Sequence, residues 1–215
     1  MSTVYLLRHS DPALQRARSA LLQADGLELA GAQSTLTDGL PEIARLAPDI
    51  VACDLRLADS HAMRVAHELG RLPVRPQLLL LTPTADDLQL FAALSAGANS
   101  FHVEQSGGAG LASALQRLQA CRATLGPQHA RQALAAFGIE RSPLVTASAA
   151  PAAIDVTPAG RQVDQAGRHL LSLLAHGLLA GEVARLWQLE LAEVERRIWR
   201  LVRLLHVRSR ELQIA

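Results

Sequence analysis

The stretch DIVACDL, residues 49–55, is the segment from which the fold can best be predicted. Its apolar residues run without a break from Ile50 to Cys53. A continuous run of this kind is typical of a parallel β-strand that helices cover on both faces. The run is followed by Asp54, and functional side chains of parallel sheets gather where the strands end. The stretch therefore predicts a buried central strand with a polar group at a functional edge.

Four further strand-like runs surround this one, and segments with helical spacing separate them. The runs are VYLL (4–7), LELAG (27–31), QLLLLT (77–82) and SFHV (100–103). The helical segments are 11–24, 38–47, 59–72, 86–96 and 109–121. Asp11 and Pro12 are favourable residues for the N-cap and first position of the first helix. This alternation predicts an α/β fold with right-handed crossovers and a doubly wound, five-stranded parallel sheet.

The composition is that of a globular protein. Of the 215 residues, 49% are hydrophobic, which is enough for a sizeable core. No apolar run is long enough to cross a bilayer and the N-terminus lacks a signal-peptide pattern, so we expect a cytoplasmic protein. Cys53 and Cys121 have no metal-ligand spacing, which favours free thiols over a disulfide or a metal site. We expect no cofactor.

Charge divides the chain into two parts. All 21 basic residues are arginine, and lysine is absent. Residues 1–121 contain nine Arg and twelve Asp or Glu, a net charge of −3, whereas residues 156–215 contain nine Arg and six acids, a net charge of +3. This asymmetry favours two modules with different partners, the second of which could bind a polyanion.

The strand–helix alternation stops after residue 121. Residues 142–160, SPLVTASAAPAAIDVTPAG, are rich in Ala, Ser and Pro and lack an apolar period. We therefore predict a domain over 1–121, a linker over 122–160 in which a short helix could span 127–137, and a second domain over 161–215. The second domain shows only helical patterns, in three or four short helices.

The first 121 residues resemble the receiver domain of bacterial response regulators. The resemblance rests on three segments and their intervals: DIVACDLRLAD (49–59), LLLLT (78–82) and ALSAGANSF (93–101). It implies that Asp54 stands at the phosphoacceptor position. It also implies that Thr82 is the switch hydroxyl residue and that Phe101 is the aromatic residue that moves with it.

Two departures from that pattern concern the phosphorylation chemistry. His9 and Ser10 stand where receivers have two acids that hold Mg²⁺, a cation that prefers carboxylate oxygens. Glu104 stands where they have a lysine that pairs with the phosphoryl group, and phosphoryl transfer depends mainly on electrostatic stabilisation. We therefore predict a degenerate receiver, or pseudo-receiver, in which Asp54 forms hydrogen bonds and is not phosphorylated in the usual way. A small ligand or another regulator could occupy the pocket of His9, Ser10, Thr82, Phe101 and Glu104.

Two other interpretations of the same residues are weaker. His9, Asp54 and Glu104 could hold a zinc ion, but one His and two carboxylates on three loops form a weak metal motif, and we predict no metal site. Arg8 and His9 could belong to a histidine phosphatase. Such an enzyme needs a second Arg and His, and LLAHG (173–177) lies in a Leu-rich helical segment instead.

The last sixty residues resemble the LuxR-type helix-turn-helix domain of the NarL/FixJ family. The matching core is HLLSLLAHGLLAGEVARLWQLELAEVERRIWRLVRLLHVRSR, residues 169–210. The resemblance implies that Asp164 caps the first helix, that Gly177 ends it and that Leu189 lies in the turn, although capping rules would also permit VTP at 156–158. The segment around Val207 would lead into a separate final helix.

Helical geometry gives an independent test of this match. At about 100° per residue, Val194, Ile198, Leu201, Val202 and Leu205 fall on one stripe. Arg196, Arg200 and Arg203 fall on the opposite face with Trp199 beside them. An arginine stripe suits insertion along a major groove with phosphate contacts, although a solvated amphipathic helix would show the same pattern. The predicted DNA-binding residues are Arg196, Arg197, Trp199, Arg200 and Arg203.

Two hypotheses for the function follow. The first is a DNA-binding transcriptional regulator of the two-component, response-regulator type. It would be a homodimer without enzymatic activity, would bind double-stranded DNA and would act independently of aspartyl phosphorylation. The second is a protein-interaction regulator that has lost DNA binding and heterodimerises with other regulators. Glu193 and Glu195 favour the second because carboxylates repel a phosphate backbone, although Arg196 and Arg197 could offset them. The apolar segment 179–181 could then be a surface for a partner protein.

Overall fold

The computed structural model describes residues 1–84, 88–104, 110–139 and 163–214. The chain divides into two compact units, Met1–Ala120 and Cys121–Ala215. No helix in these described ranges is both long enough and apolar enough to cross a membrane.

The first unit is a five-stranded parallel sheet with helices between the strands, so the predicted α/β fold is confirmed. The strands are β1 (Ser2–Leu7), β2 (Leu27–Gln33), β3 (Ile50–Asp54), β4 (Gln77–Thr82) and β5 (Ser100–Val103), in the spatial order β2-β1-β3-β4-β5. The helices are α1 (Asp11–Leu22), α2 (Leu36–Leu46), α3 (Ala62–Gly70), α4 (Leu88–Ala96) and α5 (Leu111–Gln119). All five residues of β3 are buried. Residues 50–54 therefore form the central strand of the sheet, as their apolar run predicts.

Helix α2 and strand β2 pack closely against β1. Tyr5 and Leu7 are fully buried. A Cβ atom at Gly31 would lie 2.6 Å from the Tyr5 ring, and one at Gly39 would lie 2.5 Å from a Leu7 methyl carbon. Both distances are too short for real Cβ contacts, so glycine at these positions lets β2 and α2 approach β1. The next residue along the chain, Arg8, is thereby held at the edge of the sheet.

The helix boundaries differ from the predicted ones at two capping sites. Ser10, in an extended conformation, is the N-cap of α1, so the cap lies one residue before the predicted Asp11. Helix α3 begins at Ala62 rather than near residue 59. Asp59 instead accepts hydrogen bonds from the backbone N–H groups of Leu36 and Thr37 and so caps the first turn of α2. A long-range cap of this kind has no signature in the local sequence.

The described part of the second unit is helical. Its helices are α6 (Pro127–Ala136), α7 (Gln165–Ala175), α8 (Ala180–Trp187) and α9 (Leu191–Ile214). Helix α6 falls in the segment 122–160, for which the sequence predicts a linker, and its Arg131 donates a hydrogen bond from Nε to the carbonyl of Ala175 in α7 at 2.9 Å. Residues 122–139 are thus packed into this unit, while residues 140–162 lie outside the described residues.

The ends of α7 follow the sequence prediction, and the end of α9 does not. Asp164 accepts a hydrogen bond from the N–H of Gly167 at 2.7 Å, as expected of an N-cap. Gly177, with φ of +106°, follows the last turn of α7 as the predicted helix stop. The predicted separate final helix is absent from the described residues, since α9 continues for 24 residues. No glycine or proline occurs between Leu191 and Ile214 to interrupt it.

Candidate functional site

Arg8 lies at the centre of a charged network at the end of β1. Its side chain is 3% exposed, and its Nη1 and Nη2 atoms each donate to one carboxylate oxygen of Glu104 at 2.7 Å. Its Nε lies 3.0 Å from Oδ1 of Asp54. One guanidinium group therefore lies between the carboxylates that follow β5 and end β3.

The second oxygen of Asp54 is also occupied. The backbone N–H of His9 donates to Oδ2 at 2.9 Å, and the His9 ring Nδ1 lies 2.7 Å from the same atom. Because the Asp54 side chain is only 7% exposed, both oxygens face protein groups rather than solvent. Both oxygens of Asp54 thus have neighbouring groups within the protein.

The electrostatics of the network favour the charged forms of both partners. Burial alone would raise the pKa of Glu104, but the paired hydrogen bonds and the charge of Arg8 lower it below its ordinary value. Burial alone would lower the pKa of Arg8, but the two carboxylates raise it. Bidentate Arg–carboxylate pairs are among the strongest charge-assisted hydrogen bonds in proteins.

The other predicted pocket residues lie around this network. Ser10 caps α1, and the His9 side chain is more than half exposed. Thr82 is buried and donates its hydroxyl to the carbonyl of Thr84 at 2.8 Å, while Phe101 is 8% exposed. His9, Ser10, Thr82 and Glu104 line a cleft of about 580 Å³, and Phe101 does not line it.

The described residues contain no group of three or more His, Cys, Asp or Glu side chains arranged to hold a metal ion. In the zinc interpretation, His9, Asp54 and Glu104 would face one cation. The guanidinium of Arg8 instead lies between the two carboxylates. A protein cation thus takes the position that a metal would need.

Sequence reasoning left Arg8 out of this site. The sequence pattern indicates an unfavourable charge reversal at Glu104 and offers Arg8 only as a phosphatase residue. The signal that could have identified it is the combination of two acids at the ends of β3 and β5 with one arginine at the end of the strand beside β3. Buried charges in folded proteins are paired, and no other basic residue directly follows a strand end of this sheet.

A second candidate site is the exposed face of α9. The apolar stripe predicted for this helix is buried, with Val194 and Ile198 at 0% exposure and Leu201 and Val202 at 1%. Arg196 and Arg203 are exposed and Arg200 is partly exposed, as their positions on the opposite face require. The guanidinium of Arg203 lies over the ring of Trp199, 5.0 Å from its centre.

The two glutamates at the start of α9 have different surroundings. Glu193 binds Arg196, with Nη2 at 2.8 Å, and Arg197, with Nε at 3.1 Å. These bonds lower the pKa of Glu193 although burial opposes them. Glu195 is 5% exposed and lies 3.5 Å from Nη1 of Arg122. Both carboxylates thus have cationic partners within this unit.

Arg197 lies away from the exposed arginine stripe. The residue is 6% exposed, and its guanidinium lies 5.8 Å from the ring centre of Trp187. In this structure it contributes to packing between α8 and α9, so the sequence prediction that it contacts DNA does not match its position. At 100° per residue it is rotated from Arg196 toward the buried side.

Comparison with known proteins supports the assignment of the fold. No protein-family model matches the chain. A LuxR-family response regulator from Aurantimonas sp. SI85-9A1 superposes with a TM-score of 0.54 at 19% identity, covering 61% of this chain and 94% of that one. The receiver domain of a NarL response regulator from Mycobacterium tuberculosis gives 0.51 at 18% identity, covering 54% and 94%.

The first unit has the receiver fold. The RcsB response regulator of Salmonella typhimurium matches the whole chain, covering 100% of it and 99% of RcsB with a TM-score of 0.52 at 15% identity. The predicted resemblance to LuxR-type response regulators is therefore confirmed for the fold.

One curated relative matches part of the chain. A protein-glutamate methylesterase/protein-glutamine glutaminase of Myxococcus xanthus (strain DK1622) is 30% identical over 101 residues. This region is 46% of the chain but only 29% of the relative's length.

Proposed function

We propose that this chain is a transcriptional regulator of response-regulator type that binds double-stranded DNA through α9. The observation that carries the proposal is the exposed stripe of Arg196, Arg200 and Arg203 on a helix whose opposite face is buried. Glutamates at the start of the helix would repel phosphates, but Glu193 is neutralised by two arginines and Glu195 is turned into the unit. The stripe is therefore a net cationic surface, and such surfaces bind the phosphate backbone.

In this proposal the receiver unit works without phosphorylation of Asp54. Arg8 and His9 contact the two oxygens of Asp54, and Glu104 in turn binds Arg8. The acidic pair needed for Mg²⁺ is replaced by His9 and Ser10, and the cation that would meet a phosphoryl group is replaced by Glu104. The unit would then transmit a signal through its surface or its cleft. We further propose a cytoplasmic homodimer with no enzymatic activity.

Binding to genomic DNA fragments over a salt series tests DNA binding. The full chain is expected to retain discrete fragments, and each phosphate contact predicts a fall in affinity of roughly 3.5-fold between 50 and 200 mM salt. The variant Arg196→Ala, Arg203→Ala is expected to bind all fragments more weakly. Failure of the unmodified chain to retain any fragment at low salt would reject the proposal.

Incubation with a small-molecule phosphodonor and Mg²⁺ tests the receiver unit. The mass of the full chain should remain unchanged, and Asp54→Asn should behave identically. A stable gain of one phosphoryl group that Asp54→Asn abolishes would show that the site is active.

A second candidate function, heterodimerisation without DNA binding, is favoured by one observation. Leu179, just before α8, is 64% exposed and Leu191, at the start of α9, is 45% exposed, although each is a large apolar residue. Exposed apolar groups near a helix-turn-helix could contact a partner protein. The same salt series separates the candidates, because a regulator of this second kind binds no DNA by itself.

A further inference from the structure

The three arginines on the exposed face of α9 have unequal surroundings. Arg196 is bound to Glu193, with its Nε at 3.0 Å and its Nη2 at 2.8 Å from Oε2. The guanidinium of Arg203 is stacked over Trp199. Within the described part of the chain, Arg200 forms no hydrogen bond, ion pair or ring contact. Arg200 therefore has neither donors bound to a carboxylate, as Arg196 has, nor a face covered by a ring, as Arg203 has.

Arg200 also occupies the middle of the stripe. At 1.5 Å of rise per residue, Arg196 and Arg203 are about 10 Å apart along the helix axis, and Arg200 lies between them. The three positions fall within an arc of about 60°. A major groove is about 12 Å wide and admits an α-helix, so side chains within this arc can reach both base edges and the flanking phosphates.

The two glutamates are poorly placed for base recognition. Glu193 uses both carboxylate oxygens on Arg196 and Arg197, and Glu195 is buried. The contacts of Glu193 with two arginines and the burial of Glu195 make both less available than Arg200 for a base contact.

We propose that Arg200 recognises guanine in the major groove, its two terminal nitrogens donating to O6 and N7 of one base. This inference rests on the proposed function and adds the chemical identity of the DNA feature. An arginine fork fits the two acceptors of guanine, and no other base presents that pair on its major-groove edge. Arg196 and Arg203, held by Glu193 and Trp199, contact phosphates and set affinity without sequence preference.

The test starts with selection of binding sites from random duplexes by the full chain. Selected sites should share a guanine at one position, and replacing that base by 7-deazaguanine, which lacks the N7 acceptor, should weaken binding about 5- to 100-fold. With Arg200→Ala, the normal and 7-deazaguanine duplexes should bind equally. With Arg200→Lys, general affinity should be largely kept because the charge remains, while the preference for guanine should decrease. Arg196→Ala is the matched control and should weaken both duplexes by the same factor.

The outcomes separate this inference from the proposed function. If the full chain selects discrete sites and Arg200→Ala keeps the full sensitivity to 7-deazaguanine, the guanine assignment is overturned while DNA binding stands. Selection of sites that share no guanine would likewise overturn the guanine assignment and leave DNA binding intact. If the full chain binds no duplex at low salt, the proposed function fails and the inference fails with it.

Discussion

Arg8 and the arginines of α9 are chemically identical side chains in opposite environments. Arg8 is almost completely buried, and its guanidinium is shared between Asp54 and Glu104. Arg196, Arg200 and Arg203 lie on a solvent-accessible helix face. In the first unit the cation is paired with carboxylates of the protein itself. On α9, the stripe is available to an external anion.

The comparison shows that net charge alone does not identify a binding site. The first unit contains nine arginines, yet the one at its candidate site is neutralised inside the protein. Burial makes the Arg8 pairs rigid because neither partner can be released to solvent without a large desolvation cost. The exposed pairs of α9 are weak and can be exchanged for a ligand. The predictions below test this difference, beginning with the largest expected effect.

Replacing Arg8 by alanine should have the largest effect on stability. The substitution leaves Asp54 buried without its cation and Glu104 without both hydrogen bonds, and breaking a buried ion pair from one side costs about 3–5 kcal/mol. Amide hydrogen exchange of β1 and β3 in the intact chain, measured at increasing urea, reports the free energy of unfolding of this unit.

The matched control is Arg16→Ala. Arg16 lines the same cleft but is exposed, so its removal should change the free energy of unfolding by less than about 0.5 kcal/mol. Equal losses for the Arg8 and Arg16 variants would contradict the role given to the buried network.

Acid should weaken the receiver unit through Glu104. Its pKa is lowered from the ordinary 4.5 in the folded state, so its contribution to stability is present above about pH 4.5. That contribution is lost as the pH falls through the folded-state pKa. Urea midpoints for this unit between pH 3 and 7 should therefore drop at the acid end, and Glu104→Gln should flatten the drop.

Some acid dependence should remain in Glu104→Gln. The pKa values of Glu42 and Asp59 are also lowered, by hydrogen bonds from Tyr5 and Gln33 and from the start of α2, although burial opposes both shifts. An unchanged pH profile in Glu104→Gln would mean that the Arg8–Glu104 pair contributes little to the unit's stability.

Much of the fold could be predicted from the sequence because it depends on local patterns. The apolar run at 50–53 predicts a central strand, and the period of Val194, Ile198, Leu201 and Leu205 predicts the buried face of α9. Asp164 could be predicted as a cap because its partner, Gly167, lies only three residues away.

The contacts that could not be predicted join residues far apart in the chain. Arg8 and Glu104 are 96 residues apart, and Asp59 caps a helix that begins 23 residues earlier. The prediction that Arg197 contacts DNA does not match its position, because helical spacing separates the two opposite faces of α9 only. Spacing does not show that Trp187 lies against the side of the helix between those faces. In each case the decisive partner comes from another element, which no single-segment pattern can identify.

Adjacent arginines in α9 should differ in their effect on stability. Arg197→Ala removes a buried guanidinium from Glu193 and from the ring of Trp187, and should cost about 1–3 kcal/mol. Arg196→Ala removes an exposed partner of the same glutamate and should cost less than about 0.5 kcal/mol. Tryptophan fluorescence in urea reports this unit selectively, since Trp187 and Trp199 are the only tryptophans. Equal costs would show that burial does not distinguish the two arginines.

Arg203→Ala should have a small effect on stability and a clear one on DNA. Its contact with Trp199 is a partly exposed cation–π pair, worth about 0.5–1 kcal/mol. If Arg203 contacts one phosphate, its removal should reduce the slope of log affinity against log salt by about 0.9. Trp199→Phe keeps an aromatic ring under the arginine and should preserve that slope, whereas Trp199→Ala frees the arginine and should change affinity with little effect on the slope. A salt slope that is unchanged in Arg203→Ala would mean that Arg203 contacts Trp199 but no DNA phosphate. Its role would then resemble that of Arg8, which pairs with carboxylates of the protein.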